Sequence, residues 1–206
     1  MNDQEFDAYL ANTGSMISCF EVGDQALIVD ESSPTRKIPY TVYFIQTKTG
    51  IVMVNTQLTN KLFYEFLNSN RCQLFKNAII KPEFVYKESR FDFLVTQDQQ
   101  KKLVELKNCT LKINNLLATF PDAVSTRGQK HLKELSLSIQ DGFEPYMIYL
   151  VARNDVSRFT LKQNIDPIYF QLAQAAMKQG VHFKAFQLKI DLPYFYIDQE
   201  IDLLWD

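Results

Sequence analysis

The chain has 206 residues, a formal net charge of −2, 46% hydrophobic and 22% charged residues, and only 6 Gly and 7 Pro. That composition excludes disordered, collagen-like and low-complexity classes and leaves room for one ordinary domain with a small one attached. The slight acidity also excludes a protein that coats nucleic acid nonspecifically, because phosphate contacts supply most of that affinity.

The acidic start Met1-Asn2-Asp3-Gln4-Glu5-Phe6-Asp7 lacks the basic segment and apolar run of a secretory signal, and no later stretch is apolar enough to span a bilayer. A soluble cytoplasmic protein with no membrane partner is expected. Cys19, Cys72 and Cys109 are too widely spaced for a disulfide framework or a zinc knuckle. Charge is unevenly placed: from Lys81 to Lys133 there are 10 Lys+Arg against 6 Asp+Glu, while the rest of the chain has 12 against 18. A polyanion would approach the middle, unless these charges are scattered over solvated faces.

The first fifty-odd residues read as strands and turns. Gln25 to Asp30, Tyr40 to Thr47 and Ile51 to Asn55 are rich in β-branched and aromatic residues, with Lys48-Thr49-Gly50 turning between the last two. From Leu58 the period changes, because Leu58, Leu62, Phe63, Phe66 and Leu67 fall on one helical stripe ending near Asn68 to Asn70. This predicts a boundary near residue 57, with domains over 1–57 and 58–206.

Strand-like runs follow at Glu83 to Tyr86, Phe91 to Thr96 and Leu103 to Lys107, then an antiparallel pair around Asn114-Asn115. Thr126-Arg127-Gly128-Gln129 fits a capping box. It opens a helix whose stripe is Leu132, Leu135 and Ile139 and whose stop is Asp141-Gly142. Tyr146 to Val151 is continuously apolar, as a central strand covered on both faces tends to be. Asp166-Pro167 starts a further helix closed by Gly180, and the alternation of Phe186, Leu188 and Ile190 predicts a final strand. The order implies a mixed sheet flanked by helices, in an α/β (mixed α+β) chain.

Glu105-Leu106-Lys107 is the only acidic-x-Lys triplet, at the end of a predicted strand. Residues two apart in a strand share a face, so Glu105 and Lys107 project together. Pairing Phe91 to Thr96 with Leu103 to Lys107 so that Asp92 faces Lys107 and Leu94 faces Glu105 puts all three polar groups on that face. Two carboxylates and an ammonium suit phosphodiester hydrolysis assisted by Mg2+ or Mn2+: the acids hold a hard cation and the lysine orients water or neutralises developing charge. Glu83 offers a third carboxylate from the preceding strand. The same spacing also describes a surface ion pair.

The free amides of the Thr126 helix, beside Arg127, Lys130 and His131, offer a phosphate dock; alternatively Thr126 only caps the helix. His131 and His182 are far apart with no nearby Cys, so a His-based metal site or triad is not expected, and no Gly-rich nucleotide-binding signature is present.

The runs Ser89-Arg90-Phe91-Asp92-Phe93, Glu105-Leu106-Lys107-Asn108-Cys109-Thr110-Leu111 and, above all, Phe120 through Leu132 resemble the sugar fermentation stimulation protein family, SfsA. The likeness extends to Asn12-Thr13-Gly14, Lys37 to Thr41, Asn55-Thr56 with Asn60, Arg153 to Val156 and Ile165 to Pro167. It implies a small N-terminal OB-like β domain followed by a PD-(D/E)xK restriction-endonuclease-like domain, in a protein that binds DNA; the residues themselves leave RNA open as the alternative partner. The family's nuclease-type motif falls on Asp92, Glu105 and Lys107, with Glu83 upstream. Arg90, Asn108, Thr126, Arg127, Lys130, His131 and Asn12 are then expected to contact nucleic acid. A noncatalytic DNA-binding regulator of sugar-catabolism genes is the alternative. Only Met1 to Ala11 precede the Asn-Thr-Gly motif, so either the barrel is short of its first strand or the start is misassigned.

Overall fold

The computed structural model of the chain describes residues 5–69, 71–114 and 116–205. Among these are fourteen strands and three α-helices. The N-terminal unit contains β1 (Ala8–Tyr9), β2 (Gln25–Asp30), β3 (Tyr40–Gln46) and β4 (Ile51–Met53) in one sheet. β3 is its hub, antiparallel to β2 and to β4 and parallel to β1. Helix α1 (Leu58–Leu67) follows, and its predicted stripe is the buried one: Leu62, Phe63, Phe66 and Leu67.

The main sheet has six strands in the order β13-β12-β10-β7-β6-β5. These are β5 (Ile79–Tyr86), β6 (Ser89–Gln97), β7 (Gln100–Cys109), β10 (Glu144–Val151), β12 (His182–Asp191) and β13 (Tyr194–Ile201). β10 runs parallel to both neighbours, and every residue from Pro145 to Val151 is buried, as expected of a strand covered on two sides. One face carries Phe93, Val95, Val104, Leu106, Tyr146, Ile148 and Leu150 against α1, and Phe44 and Met53 of the N-terminal sheet join that core. The other face carries Phe91, Leu103, Cys109, Met147 and Tyr149 against α2 (Thr126–Ser138) and α3 (Pro167–Gln179). A third sheet, β14-β11-β9-β8, is formed by β8 (Lys112–Asn114), β9 (Leu117–Phe120), β11 (Arg158–Leu161) and β14 (Leu203–Trp205). β8 and β9 form the expected antiparallel pair, and Asn115 between them lies outside the described residues, as does Asn70.

Several details differ from the sequence reading, among them the unpredicted strands β1 and β11. β12 is not the last strand, because β13 pairs antiparallel to it and β14 pairs parallel to β11. The cap of α2 is Ser125, whose hydroxyl accepts from Gly128 N at 3.0 Å, so Thr126 is the first helical residue. Gln129 then has a different task and donates to both oxygens of Asp166, at 3.0 and 3.1 Å. Asp166 caps α3 through Tyr169 N at 2.9 Å and also accepts from Ser125 N at 3.0 Å, so a single carboxylate ties the starts of two helices together.

The N-terminal unit is clamped to the main one by a buried charge cluster. Arg153, fully buried, donates from Nε to Asp155 Oδ1 at 2.6 Å, from Nη2 to Oδ2 at 3.0 Å and from Nη1 to the Thr110 carbonyl at 2.6 Å. Lys112 Nζ reaches Asp155 Oδ2 at 2.6 Å, and the Thr49 hydroxyl of the β3–β4 turn donates to the same oxygen. The turn fits only because residue 50 is glycine: a Cβ there would lie 2.5 Å from Asn154 Oδ1 and 2.6 Å from Asp155 Cβ. Cys19, Cys72 and Cys109 are free and buried. Among the described residues no helix is long and apolar enough to cross a membrane.

Candidate metal and catalytic site

The site arises where two strands stop pairing. The β6–β7 ladder runs from Gln97↔Gln100 to Phe93↔Val104 and ends there. Leu94 therefore faces Leu103 rather than Glu105, a shift of two residues from the predicted register that leaves the side chains of the paired stretch, Phe93 to Gln97, on their expected faces. The predicted pairing of Asp92 with Lys107 does not form, because the strand parts from its neighbour first. Beyond Phe93 the Asp92 side chain takes over: its Oδ2 accepts from Leu106 N at 2.7 Å, the amide freed by the parting. The break also changes face, since Phe91 packs with α2 and α3 while Phe93 packs with α1.

Glu105 and Lys107 emerge from β7 on the α2 face. Lys107 Nζ donates to Glu105 Oε1 at 2.6 Å, and His131 Nδ1 of α2 contacts the same oxygen. Glu105 is 3% exposed, and its second oxygen, Oε2, is buried with no hydrogen-bond partner. An unpartnered carboxylate oxygen away from water is costly, by about 1–3 kcal/mol or more for a charged group. Across the opening, Asn60 of α1 donates to Asp92 Oδ1 at 2.7 Å. Burial and the nearby Glu105 carboxylate push Asp92 up to about 6, and the bonds from Leu106 N and Asn60 offset them only in part. Burial also raises Glu105, but the Lys107 ammonium and His131 outweigh it and keep that carboxyl below its ordinary value. The two acids thus interact, and the ionised form of Asp92 is opposed by burial and by Glu105, a balance that a nearby positive charge would relieve.

The donor set fits a small divalent ion. Mg2+ binds through one or two carboxylates and completes its shell with water and substrate phosphate oxygens. Asp92 and Glu105 are such a pair, and Glu105 Oε2 is an oxygen in need of a partner. Glu83 does not join them. Its side chain is 65% exposed and pairs with Arg90 at 3.6 Å, and no group of three His, Cys, Asp or Glu side chains fit to hold a metal occurs among the described residues. The reason is local: Glu83 has φ 54° where β5 would pair with Asp92, and the twist there sends the side chain to solvent.

The expected nucleic-acid contacts divide into three groups. Arg127 and Thr126 are exposed at the start of α2, and Arg90 and Lys130 are exposed enough to reach a polyanion while pairing with Glu83 and Glu88. Asn108 accepts from the Thr59 hydroxyl at 3.1 Å, and Asn12 is spent on holding its loop to the end of β4, donating to the Val54 carbonyl at 3.1 Å and accepting from Gly14 N at 2.8 Å. His131 is turned inward and 3% exposed, so it is not a phosphate contact; the buried face of α2 carries it onto Glu105. Asn60 received no role from the sequence. The available signal was its place in the family likeness, with Asn55-Thr56.

Fold and site together define a two-domain protein: an OB domain followed by a mixed α/β domain whose parted strand pair gathers Asp92, Glu105 and Lys107. Residues 1–54 match the SfsA N-terminal OB domain, and residues 57–193 match the Sugar fermentation stimulation protein RE domain. The chain belongs to the SfsA family. It is 39% identical over 199 residues to a sugar fermentation stimulation protein homolog of Pelagibacter ubique, covering 96% of this chain and 86% of that one. A homolog from Syntrophotalea carbinolica is 35% identical, with 97% and 86% covered. The solved structure of Pyrococcus furiosus SfsA in complex with Ca2+ superimposes with a TM-score of 0.87 at 26% identity, covering 96% of this chain and 85% of that chain.

Proposed function

We propose that the protein is a cytoplasmic nuclease of the PD-(D/E)xK type that binds DNA or RNA and cleaves phosphodiester bonds with Mg2+ or Mn2+ held by Asp92 and Glu105. The observation that carries this reading is the buried, partnerless Glu105 Oε2 beside an Asp92 whose ionisation is opposed by its surroundings. The Ca2+ bound by the similar Pyrococcus furiosus SfsA supports a hard-cation site in the family.

A bound divalent ion supplies positive charge to a phosphoryl oxygen and lowers the pKa of a water. The chain's own groups do the rest. Asn60 and Leu106 N fix Asp92 by both oxygens, so its carboxylate has one orientation. Lys107 Nζ, 16% exposed and anchored on Glu105 Oε1, has ammonium protons left to orient the attacking water or meet charge developing on the phosphate. Arg127, Thr126 and the α2 start offer amide and guanidinium donors to a neighbouring phosphate.

The test is direct. Pure protein is incubated with single- and double-stranded DNA and RNA, with Mg2+, Mn2+ or EDTA. Cleavage that needs metal, stops with EDTA and drops at least about a hundredfold in Lys107→Ala is expected. Binding without metal-dependent cleavage would reject the nuclease reading and leave a noncatalytic regulator, and so would cleavage undiminished by Lys107→Ala.

A further inference from the structure

We infer that His131 is a positioning residue for the metal site, acting through Glu105. This rests on the reading of Asp92 and Glu105 as the cation's ligands.

The geometry is asymmetric. Both donors that reach Glu105, Lys107 Nζ and His131 Nδ1, bond to Oε1, and neither bonds to Oε2. One of the two is mobile by nature, a lysine on a flexible stem, partly open to solvent. The other is fixed. The imidazole side chain is 4% exposed and lies against the Phe91 ring, with centroids 5.4 Å apart. Its helix is anchored by fully buried Leu132 and Leu135 and by Ser125 and Gln129 on Asp166. A rigid donor on one carboxylate oxygen sets the plane of the group and leaves the other, buried oxygen without a bond. Hydrogen bonds to a ligating carboxylate commonly raise metal affinity in this way. What the role requires is a proton on Nδ1, whatever the charge of the ring. Asparagine places an amide N–H close to where Nδ1 stands, so His131→Asn keeps the donor, and His131→Leu removes it.

The experiment titrates the full chain with Mn2+, reading free ion by its paramagnetic resonance signal, for the wild type and Asp92→Asn, His131→Leu and His131→Asn. The wild type is expected to bind, Asp92→Asn to lose binding, His131→Leu to bind about 10–100-fold more weakly and His131→Asn to stay within a few-fold of wild type. Wild-type affinity in His131→Leu, with binding still lost in Asp92→Asn, overturns the positioning role and leaves the metal site standing. A wild type that binds no Mn2+, or Asp92→Asn that binds it as well, removes the metal site and this role with it. If His131→Leu does not fold, nitrogen NMR of the wild type decides: a proton on Nδ1 that shifts on adding Mg2+ supports the role, and a proton on Nε2 alone overturns it.

Discussion

Asn60 Nδ2 lies 2.7 Å from Asp92 Oδ1, which joins the first turn of α1 to the point at which β6 leaves β7. The bond favours the ionised acid in a place where burial and Glu105 oppose it. Asp92 takes up a proton as pH falls through about 6, so Mn2+ affinity should weaken over that range. Asn60→Ala removes one stabilising bond from the anion, and the midpoint of affinity against pH should move upward by about half to one pH unit. Mn2+ titrations from pH 5 to 8 read this; an unmoved midpoint would show that Asn60 does not tune Asp92.

Asp92 also makes a prediction about stability without metal. Its folded value, about 6, lies above the ordinary 3.8, so the folded chain binds that proton more readily than the unfolded one. The stability linked to the group is therefore present below the unfolded value and lost as pH rises through about 6, a swing on the order of 3 kcal/mol at most. Asp92→Asn should stabilise the metal-free chain at pH 8 by about 1–2 kcal/mol, since the lost acceptor bond offsets part of the gain. Urea midpoints at pH 8 and pH 5 check it, with the gain shrinking at the lower pH. No gain at pH 8 would mean that the acid is comfortable as an anion.

Asp155 is the opposite case. Burial raises it, but bonds from Arg153, Lys112 and Thr49 prevail and hold it far below the usual carboxylate range. A lowered folded value means stability present above the unfolded value, near 3.8, and lost as pH falls below it. Asp155→Asn leaves the fully buried Arg153 without its counter-charge and should cost about 3–5 kcal/mol at pH 7. The difference from wild type should narrow below pH 4 in urea melts. Equal stability at pH 7 would refute the clamp between the β3–β4 turn and the main sheet.

The two helix starts joined at Asp166 should respond unequally to truncation. Ser125→Ala removes one cap bond, to Gly128 N, and should cost about 1 kcal/mol. Asp166→Ala removes the acceptor of Ser125 N, Tyr169 N and Gln129 in a residue 1% exposed, and should cost roughly 2–4 kcal/mol. Denaturation midpoints rank the two variants. A smaller loss in Asp166→Ala than in Ser125→Ala would be inconsistent with its double role.

Local signals were read well where local physics decides. Asp166-Pro167 and Gly180 bound α3 as expected, the Leu58 stripe is the buried face of α1, and the apolar run of β10 lies in mid-sheet. The cap of α2 was misplaced by one residue because Ser125 and Thr126 are equally good candidates by type, and only the extended backbone of Ser125 distinguishes them. β11 and β14 went unseen because each is four residues or fewer and is stabilised by partners far along the chain.

By itself the amino-acid sequence determined the family and the order of most of the longer elements, and it singled out Asp92, Glu105 and Lys107 as candidates, since each depends on residue type, spacing or strand period. Only the tertiary structure decided how the trio meets. The parting of β6 from β7 and the outward turn of Glu83 arise within consecutive hairpins, while the inward turn of His131 onto Glu105 and the bond of Asn60 to Asp92 come from contacts between segments distant in sequence. Such contacts form according to the competition among packing, hydrogen bonding and desolvation in the folded chain, and that competition has no period to be read in advance.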